Sequence, residues 1–344
     1  MLALRKTGPR NGVAFEEIDP PLPGVDEVLI EVAAAGICGT DLHVDDWTNS
    51  YRFIGPTLPV TLGHEFSGTV VGHGADTDRA ALPVGSHVVV MPSVTCGACD
   101  ACRSGNFDAC ARRTGIGMTR DGAFACFVAA PARNCLPVPL DLDPGIAALA
   151  EPLTVAWQAV TRGSVGPGMK VLVLGPGTIG QAIALMARKA GAADVVLAGR
   201  SDGPRLATAR RLGFERVFDL AEAGDERLLR DAAGAGFDVV LEATGAAEAF
   251  QLGLELLRPN GVLVAIGIHD KPTPLDVTGL VRRQFDIRGS YRAPLAAWPL
   301  IITMLTEDPS AFSPMITRRM SLAEGLEAFA LGHDRAESKI LLIP

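Results

Sequence analysis

Apolar and polar positions alternate over residues 27–32, which predicts a strand. The segments around 69–71 and 86–91, each bounded by glycine or proline, predict two more. The first 150 residues therefore read as β-rich and loop-rich. Near Asp143 the period changes. Ala147, Ala148, Leu149, Val155, Ala156, Ala159 and Val160 fall at helical spacings, and Pro152 is expected to kink that run. This shift marks a domain junction. Beyond it, Lys-Val-Leu-Val-Leu at 170–174 is a short continuous apolar run with the character of a buried parallel strand. A glycine-rich turn and a helix over 178–190 follow it. Further strands are expected at 194–198, 237–241, 261–266 and 285–288, with helical stretches between most of them. Strands alternating with helices make a doubly wound parallel sheet. The last stretch, helices over 300–305 and 322–331 and a strand over 339–343, is expected to return to the first domain. The expected division is 1–150 with 291–344 for one domain and 151–290 for the other.

Length and composition narrow this picture. At 344 residues, 48% hydrophobic and 20% charged, the chain has the make-up of a globular protein of two domains. Its 38 glycines and 24 prolines are scattered among apolar runs and read as turns. A net charge of -8 and a pI near 5.3 repel a phosphate backbone, and no Lys/Arg cluster stands out, so nucleic acid is not expected as a partner. No signal-peptide pattern opens the chain, and no apolar run approaches the roughly 20 residues that span a bilayer. The expectation is a cytoplasmic protein with no membrane partner. Four of the seven cysteines crowd into 96–110, at spacings that suit a metal better than disulfides.

Gly175-Pro-Gly177-Thr178-Ile179-Gly180 matches G-x-G-x-x-G between a predicted strand and a predicted helix, the context that gives the motif its meaning. Gly175 allows the tight turn, Gly177 lets the backbone approach a pyrophosphate, and Gly180 lets helix and strand pack closely. The helix N-terminus adds free N–H groups and partial positive charge. A site for NAD usually places Asp or Glu at the end of the second strand to hold the ribose 2′-hydroxyl. Here that strand ends Gly199-Arg200-Ser201, suited to a 2′-phosphate, so NADP is expected over NAD. Asp202 stands next in the chain, and a one-residue shift of the loop would bring it near the ribose.

Two constellations suit a metal. Cys96, Cys99, Cys102 and Cys110 place four thiolates within fifteen residues, enough for a closed tetrahedral zinc site of structural type. Cys126 and Cys135 lie in an alternating apolar stretch and read as core. The second set is spread out: Gly36-Ile-Cys38-Gly-Thr40-Asp-Leu-His43, then Gly63-His64-Glu65, then Glu151-Pro152. Each piece alone is as readily structural as a ligand. Together they offer the three or so protein ligands that a catalytic zinc needs beside an open position.

These motifs, in this order and at these separations, resemble the zinc-containing medium-chain dehydrogenases over essentially the whole chain. The resemblance implies an α/β protein: a partly open β-barrel catalytic domain, a Rossmann domain inserted before the C-terminal segment, an active-site cleft between them, and a homo-oligomer, dimer or tetramer. It implies Cys38 and His64 as ligands of a catalytic zinc. Glu151 stands where liver-type enzymes have a third cysteine, a departure resembling the sorbitol, glucose and threonine dehydrogenase branches, in which Glu65 and Glu151 each approach the metal directly or through water. Thr40 resembles the residue that takes the substrate hydroxyl proton, and His43 the histidine that delivers it towards solvent. Zinc then acts as a Lewis acid on a bound alcohol, and a hydride passes from its carbon to nicotinamide. On the residues alone, Thr40 as a helix N-cap and His43 as a solvated or core residue stay open.

For the substrate, Arg292 resembles an arginine near the polyol of sorbitol-type enzymes, with a surface or subunit-contact role as its alternative. Trp47 lines the cleft or packs beside it. A polyol or other secondary alcohol is the expected small-molecule substrate, with a threonine-type amino-alcohol as the alternative. A different class of protein, a non-catalytic zinc and dinucleotide-binding module, is disfavoured by the acidic charge and by an open metal site that a binder does not need.

Overall fold

The computed structural model describes all of residues 1–344. The chain opens with β1 (Leu2–Lys6), β2 (Ala14–Glu17), β3 (Glu27–Gly36), α1 (Gly39–Asp45), β4 (Val60–Thr61), β5 (Glu65–His73) and β6 (His87–Val90). It continues with β7 (Ser93–Val94), α2 (Asp100–Arg103), β8 (Thr114–Gly115), β9 (Phe127–Pro131) and β10 (Cys135–Pro137). In β3 alternate side chains are buried at first, and its last residues are buried continuously, which explains why only 27–32 carried the alternating signature.

Two helices follow, α3 (Pro144–Ala148) and α4 (Ala150–Arg162). Pro152 does not kink the run as expected. The helical stretch divides ahead of it, at Leu149, and Pro152 then falls in the first turn of α4, where no N–H is needed for an intrahelical bond. The Asp143 side chain caps α3 by accepting from the Ile146 N–H at 3.0 Å.

Next come β11 (Lys170–Leu174), α5 (Thr178–Lys189), β12 (Asp194–Gly199), α6 (Gly203–Arg211), β13 (Val217–Asp219), α7 (Asp225–Ala233), β14 (Phe237–Glu242), α8 (Ala247–Leu256), β15 (Leu257–Ala265), α9 (Val277–Arg283) and β16 (Asp286–Gly289). The chain closes with α10 (Ala297–Glu307), β17 (Ile316–Ser321), α11 (Gly325–His333) and β18 (Lys339–Ile343).

The chain divides into two compact units. One comprises Met1–Glu151, Trp298–Asp334 and Lys339–Pro344. Its main sheet has seven strands in the order β10-β6-β5-β3-β18-β17, with β9 also paired to β3. All its pairings are antiparallel except that of β17 with β18. Leu4, Ile30, Ile54, Phe66 and Phe124 are fully buried in its core, each contributing about 1.5–3 kcal/mol by leaving water.

The second unit comprises Pro152–Ala297 and Arg335–Ser338. It holds six parallel strands in the order β13-β12-β11-β14-β15-β16. This is the Rossmann order, and the direction of winding reverses between β11 and β14, the place where such sheets bind ligands at the carboxyl ends of their strands. Val171, Leu172, Val173 and Val240 are wholly buried, the reason these strands read as unbroken apolar runs.

Candidate active site

In the first unit, β3 ends at Gly36 and the chain turns at Cys38 into α1. The cap of α1 is Cys38, not Thr40. Its N–H donates to Asp41 Oδ2 at 2.9 Å, and Thr40 lies in the first turn. Across the sheet, Gly36 is the register partner of Glu65, the first residue of β5. A Cβ at residue 36 would stand 2.5 Å from Glu65 Oε2, so only glycine leaves room for that carboxylate.

Cys38, His64 and Glu65 are thereby brought together, their ligand atoms within 4.8 Å of one another. One ion bonded at about 2.0–2.3 Å would bring these three ligand atoms together. His64 and Glu65 are buried, and His64 Nδ1 and Glu65 Oε1 lack a hydrogen-bond partner. Unpaired buried polar atoms cost about 1–3 kcal/mol each. Glu65 Oε1 is the kind of orphan that a metal satisfies.

Three residues not anticipated as site members support this cluster. Asp41 is fully buried, and its Oδ1 lies 3.5 Å from His64 Nδ1, the carboxylate-to-imidazole arrangement that orients ligand histidines. Lys339, at the start of β18, is buried too. Its Nζ donates to the Glu65 carboxylate and to the Ile37 carbonyl, the latter at 2.8 Å. Tyr51, in the 3₁₀ stretch Asn49–Thr57, places its hydroxyl 3.1 Å from Thr40 Oγ1 and stacks its ring on His43. Asp41 lay within the motif already quoted. Lys339 and Tyr51 sit in no motif.

Burial and mutual charge shape the protonation of the cluster. Burial above all, with Glu65 adding to it, pushes the Cys38 thiol up. Burial opposes charge on His64, yet Asp41 and Cys38 outweigh it and hold the ring well above the usual histidine range. Burial pushes Glu151, in the first turn of α4, up to about 7, with Glu65 reinforcing and His64 opposing the shift. Four acids, Cys38, Asp41, Glu65 and Glu151, thus interact with only two bases, His64 and Lys339. A divalent ion would take the place of the protons that burial otherwise keeps on Cys38 and Glu151.

The four-cysteine lobe differs in kind. Its sulfur contacts are 3.5 Å for Cys99 to Cys102, 3.7 Å for Cys110 to Cys96 and 3.9 Å for Cys96 to Cys102. None is a disulfide. Sulfurs bonded at about 2.3 Å to a tetrahedral zinc stand about 3.8 Å apart, so the set fits that ion. Backbone hydrogen bonds, first from Ala98, bring Cys96 down to about 6, whereas burial pushes Cys102 up to about 11. Cys135 is core as expected, and burial pushes it up to about 12, but Cys126 is only half-buried.

The second unit carries the glycine loop. Gly175 has φ +100, and a Cβ at Gly180 would collide with the Gly175 carbonyl, so helix and strand meet only because that side chain is absent. A Cβ on Gly177 would meet nothing nearer than the Arg205 guanidinium at 4.0 Å, which leaves open space beside the backbone. Thr178 Oγ1 donates to the Ser338 carbonyl at 2.8 Å, and Ile179 continues α5. At the end of β12, Arg200 and Ser201 are exposed, and the Ser201 N–H donates to Asp219 Oδ1 at 2.7 Å. Asp202 is turned inward between Arg205 and Arg335, whose guanidinium nitrogens stand 3.8 and 3.7 Å from its carboxylate. Arg292 stacks over the exposed Tyr291 ring at 4.5 Å. In the first unit, Trp47 packs against the core under Lys6, whose Nζ is 5.4 Å from the ring.

Residues 24–140 match the model of the alcohol dehydrogenase GroES-like domain, and residues 178–307 that of the zinc-binding dehydrogenase domain. The chain is 32% identical to the L-threonine 3-dehydrogenase of Saccharopolyspora erythraea, over 99% of this chain and 98% of that one. It is 31% identical to the sorbitol dehydrogenase of Halalkalibacterium halodurans, over 100% and 99%. Among solved structures, a zinc-binding dehydrogenase of Sinorhizobium meliloti 1021 bound to NADP superposes with a TM-score of 0.86 at 30% identity, over 100% of this chain and 99% of that one.

Proposed function

The chain belongs to the zinc-containing medium-chain alcohol dehydrogenase family, as an NAD(P)-dependent zinc oxidoreductase acting on CH–OH, and from that premise we propose that it oxidises a polyol or other secondary alcohol to the ketone with NADP. The observation that carries the reading is the buried meeting of Cys38, His64 and Glu65, with an orphaned Glu65 oxygen of the kind a metal satisfies.

Cys38, His64 and Glu65 would hold the catalytic zinc, with Glu151 close enough to feel His64 and Glu65, and Cys96, Cys99, Cys102 and Cys110 would hold the structural one. Zinc at the first site supplies Lewis acidity, which lowers the pKa of an alcohol. Asp41 orients the His64 ring, and Lys339 holds one oxygen of Glu65 and leaves the other without a hydrogen-bond partner. Thr40 takes the substrate hydroxyl proton, and His43 carries it onward. Gly175, Gly177 and Gly180, with the N–H groups opening α5, hold the pyrophosphate. Arg200 and Ser201 hold the 2′-phosphate. Asp202 is occupied by two arginines, which removes the residue that favoured NAD and adds positive charge at that corner. The NADP bound by the S. meliloti neighbour supports the same choice.

Initial rates at A340 with NADP and NAD, against polyols, secondary alcohols and threonine, test the reading. It expects a secondary alcohol to reduce NADP with kcat/KM at least about tenfold above that with NAD, the equivalent of about 1.4 kcal/mol. A preference for NAD contradicts the cofactor assignment, and turnover of threonine alone contradicts the substrate.

A further inference from the structure

We propose that the Tyr51 hydroxyl is a second member of the proton relay, acting through Thr40; the proposal rests on the reading of Thr40 as the residue that takes the alcohol proton. A threonine hydroxyl has one proton and is neutral, so it accepts the substrate's proton only if it releases its own to an acceptor already in hydrogen-bond contact. Tyr51 Oη, 3.1 Å from Thr40 Oγ1, is such an acceptor. The phenol is held firmly. Tyr51 is only 7% exposed, its ring lies in the first unit's core, stacks on the His43 imidazole at a 5.5 Å centroid distance and 16° between planes, and meets Phe53 at 6.1 Å. A hydroxyl pair of this kind exchanges donor and acceptor roles without moving a heavy atom.

The step balances. As the alcohol O–H breaks, its proton bonds to Thr40 Oγ1, the Thr40 proton passes to Tyr51 Oη, and the phenolic proton leaves to solvent water. Both hydroxyls end as they began, one proton has left the alcohol, and the hydride is taken by the nicotinamide cofactor. Tyr51 is thus a positioning and relaying residue. It touches Thr40, and Thr40 meets the substrate.

Tyr51→Phe removes the hydroxyl and keeps the ring that fills the core. In single-turnover cofactor reduction by the zinc-loaded enzyme, the variant is expected to slow by about 100-fold while the alcohol KM stays within about twofold, the lower end of the range for a general acid–base group. A proton inventory in H₂O/D₂O mixtures is expected to change from curved in the wild type, more than one proton in flight, to linear in Tyr51→Phe. The double variant Tyr51→Phe/Thr40→Val is expected to be no slower than Thr40→Val alone, because the two hydroxyls act in one chain. Wild-type single-turnover rate and inventory in Tyr51→Phe would overturn the relay and leave the alcohol dehydrogenase standing. Wild-type enzyme that reduces no cofactor with any alcohol would overturn both.

Discussion

The two metal-suited clusters of the first unit are built on opposite plans. The lobe draws four like ligands from fifteen consecutive residues, with the four-residue α2, a 3₁₀ turn at Phe107–Ala109 and the pair β7–β8 around them. The other cluster draws a thiol, an imidazole and a carboxylate from two separate parts of the chain, Cys38 and His64-Glu65. It also recruits Asp41 beside His64 and Lys339 against Glu65, 274 positions away. Four equal thiolates close a tetrahedron and leave nothing for a substrate. Three protein ligands leave the fourth position open, and the partners of His64 and Glu65 set the charge around it. The lobe's metal is therefore expected to serve folding and the other to serve chemistry.

The largest effect that separates the two is on catalysis. Cys38→Ser or His64→Ala is expected to lower kcat/KM by about 10³-fold, from several kcal/mol of lost charge stabilisation, and zinc content from about two ions per chain to about one. Cys99→Ser is expected to lose the same amount of zinc yet keep kcat/KM within about tenfold, while limited proteolysis begins to cut within the lobe. Equal losses of activity in both would erase the distinction. Next comes Lys339→Met, which strands the Glu65 carboxylate in the interior and should cost about 3–5 kcal/mol in urea unfolding. A change below about 1 kcal/mol would mean that Glu65 does not depend on its lysine.

Asp41→Asn keeps the shape and removes the charge next to His64. It is expected to weaken zinc affinity at the catalytic cluster by about 10–100-fold in a competitive chelator titration and to leave the lobe's affinity alone. The smallest effect lies on the path to Glu151. Asp143 caps α3 and pairs with Arg319 at 2.6 Å, and the Arg319 hydrogen bond holds its carboxyl below the usual carboxylate range. A carboxyl lowered on folding stabilises above its unfolded pKa and loses that contribution as pH falls through its folded one. Asp143→Ala should therefore cost about 1 kcal/mol at pH 7 and nothing once the pH is below both values. A cost that persists in acid would point to packing instead of the cap.

The same contrast explains what the sequence makes legible. The lobe is local, so spacing alone exposes it. The strands of the second unit are buried on both faces, and Lys170–Leu174 and Phe237–Glu242 announce themselves as apolar runs closed by turns. Cys38, His64 and Glu65 are visible because glycines flank them, and Gly36 shows why: the carboxylate of Glu65 fills the space a side chain would take. Lys339 is invisible, since a lysine opening a C-terminal strand carries no local mark of a partner 274 residues earlier. Tyr51 is hidden for the same reason, in a 3₁₀ stretch with no motif. Periodicity also gave Pro152 the wrong consequence, because it located the helical run but not the break at Leu149.

The central claim is that the unlike cluster, and not the lobe, holds the zinc on which turnover depends. Its most direct test is to return zinc stepwise to chelator-treated wild-type protein and follow the initial A340 rate with NADP and the alcohol that the panel identifies. A rate that appears only with the second zinc equivalent per chain, and not at all in Cys38→Ser, is the predicted result. Full rate with the lobe alone filled would contradict it.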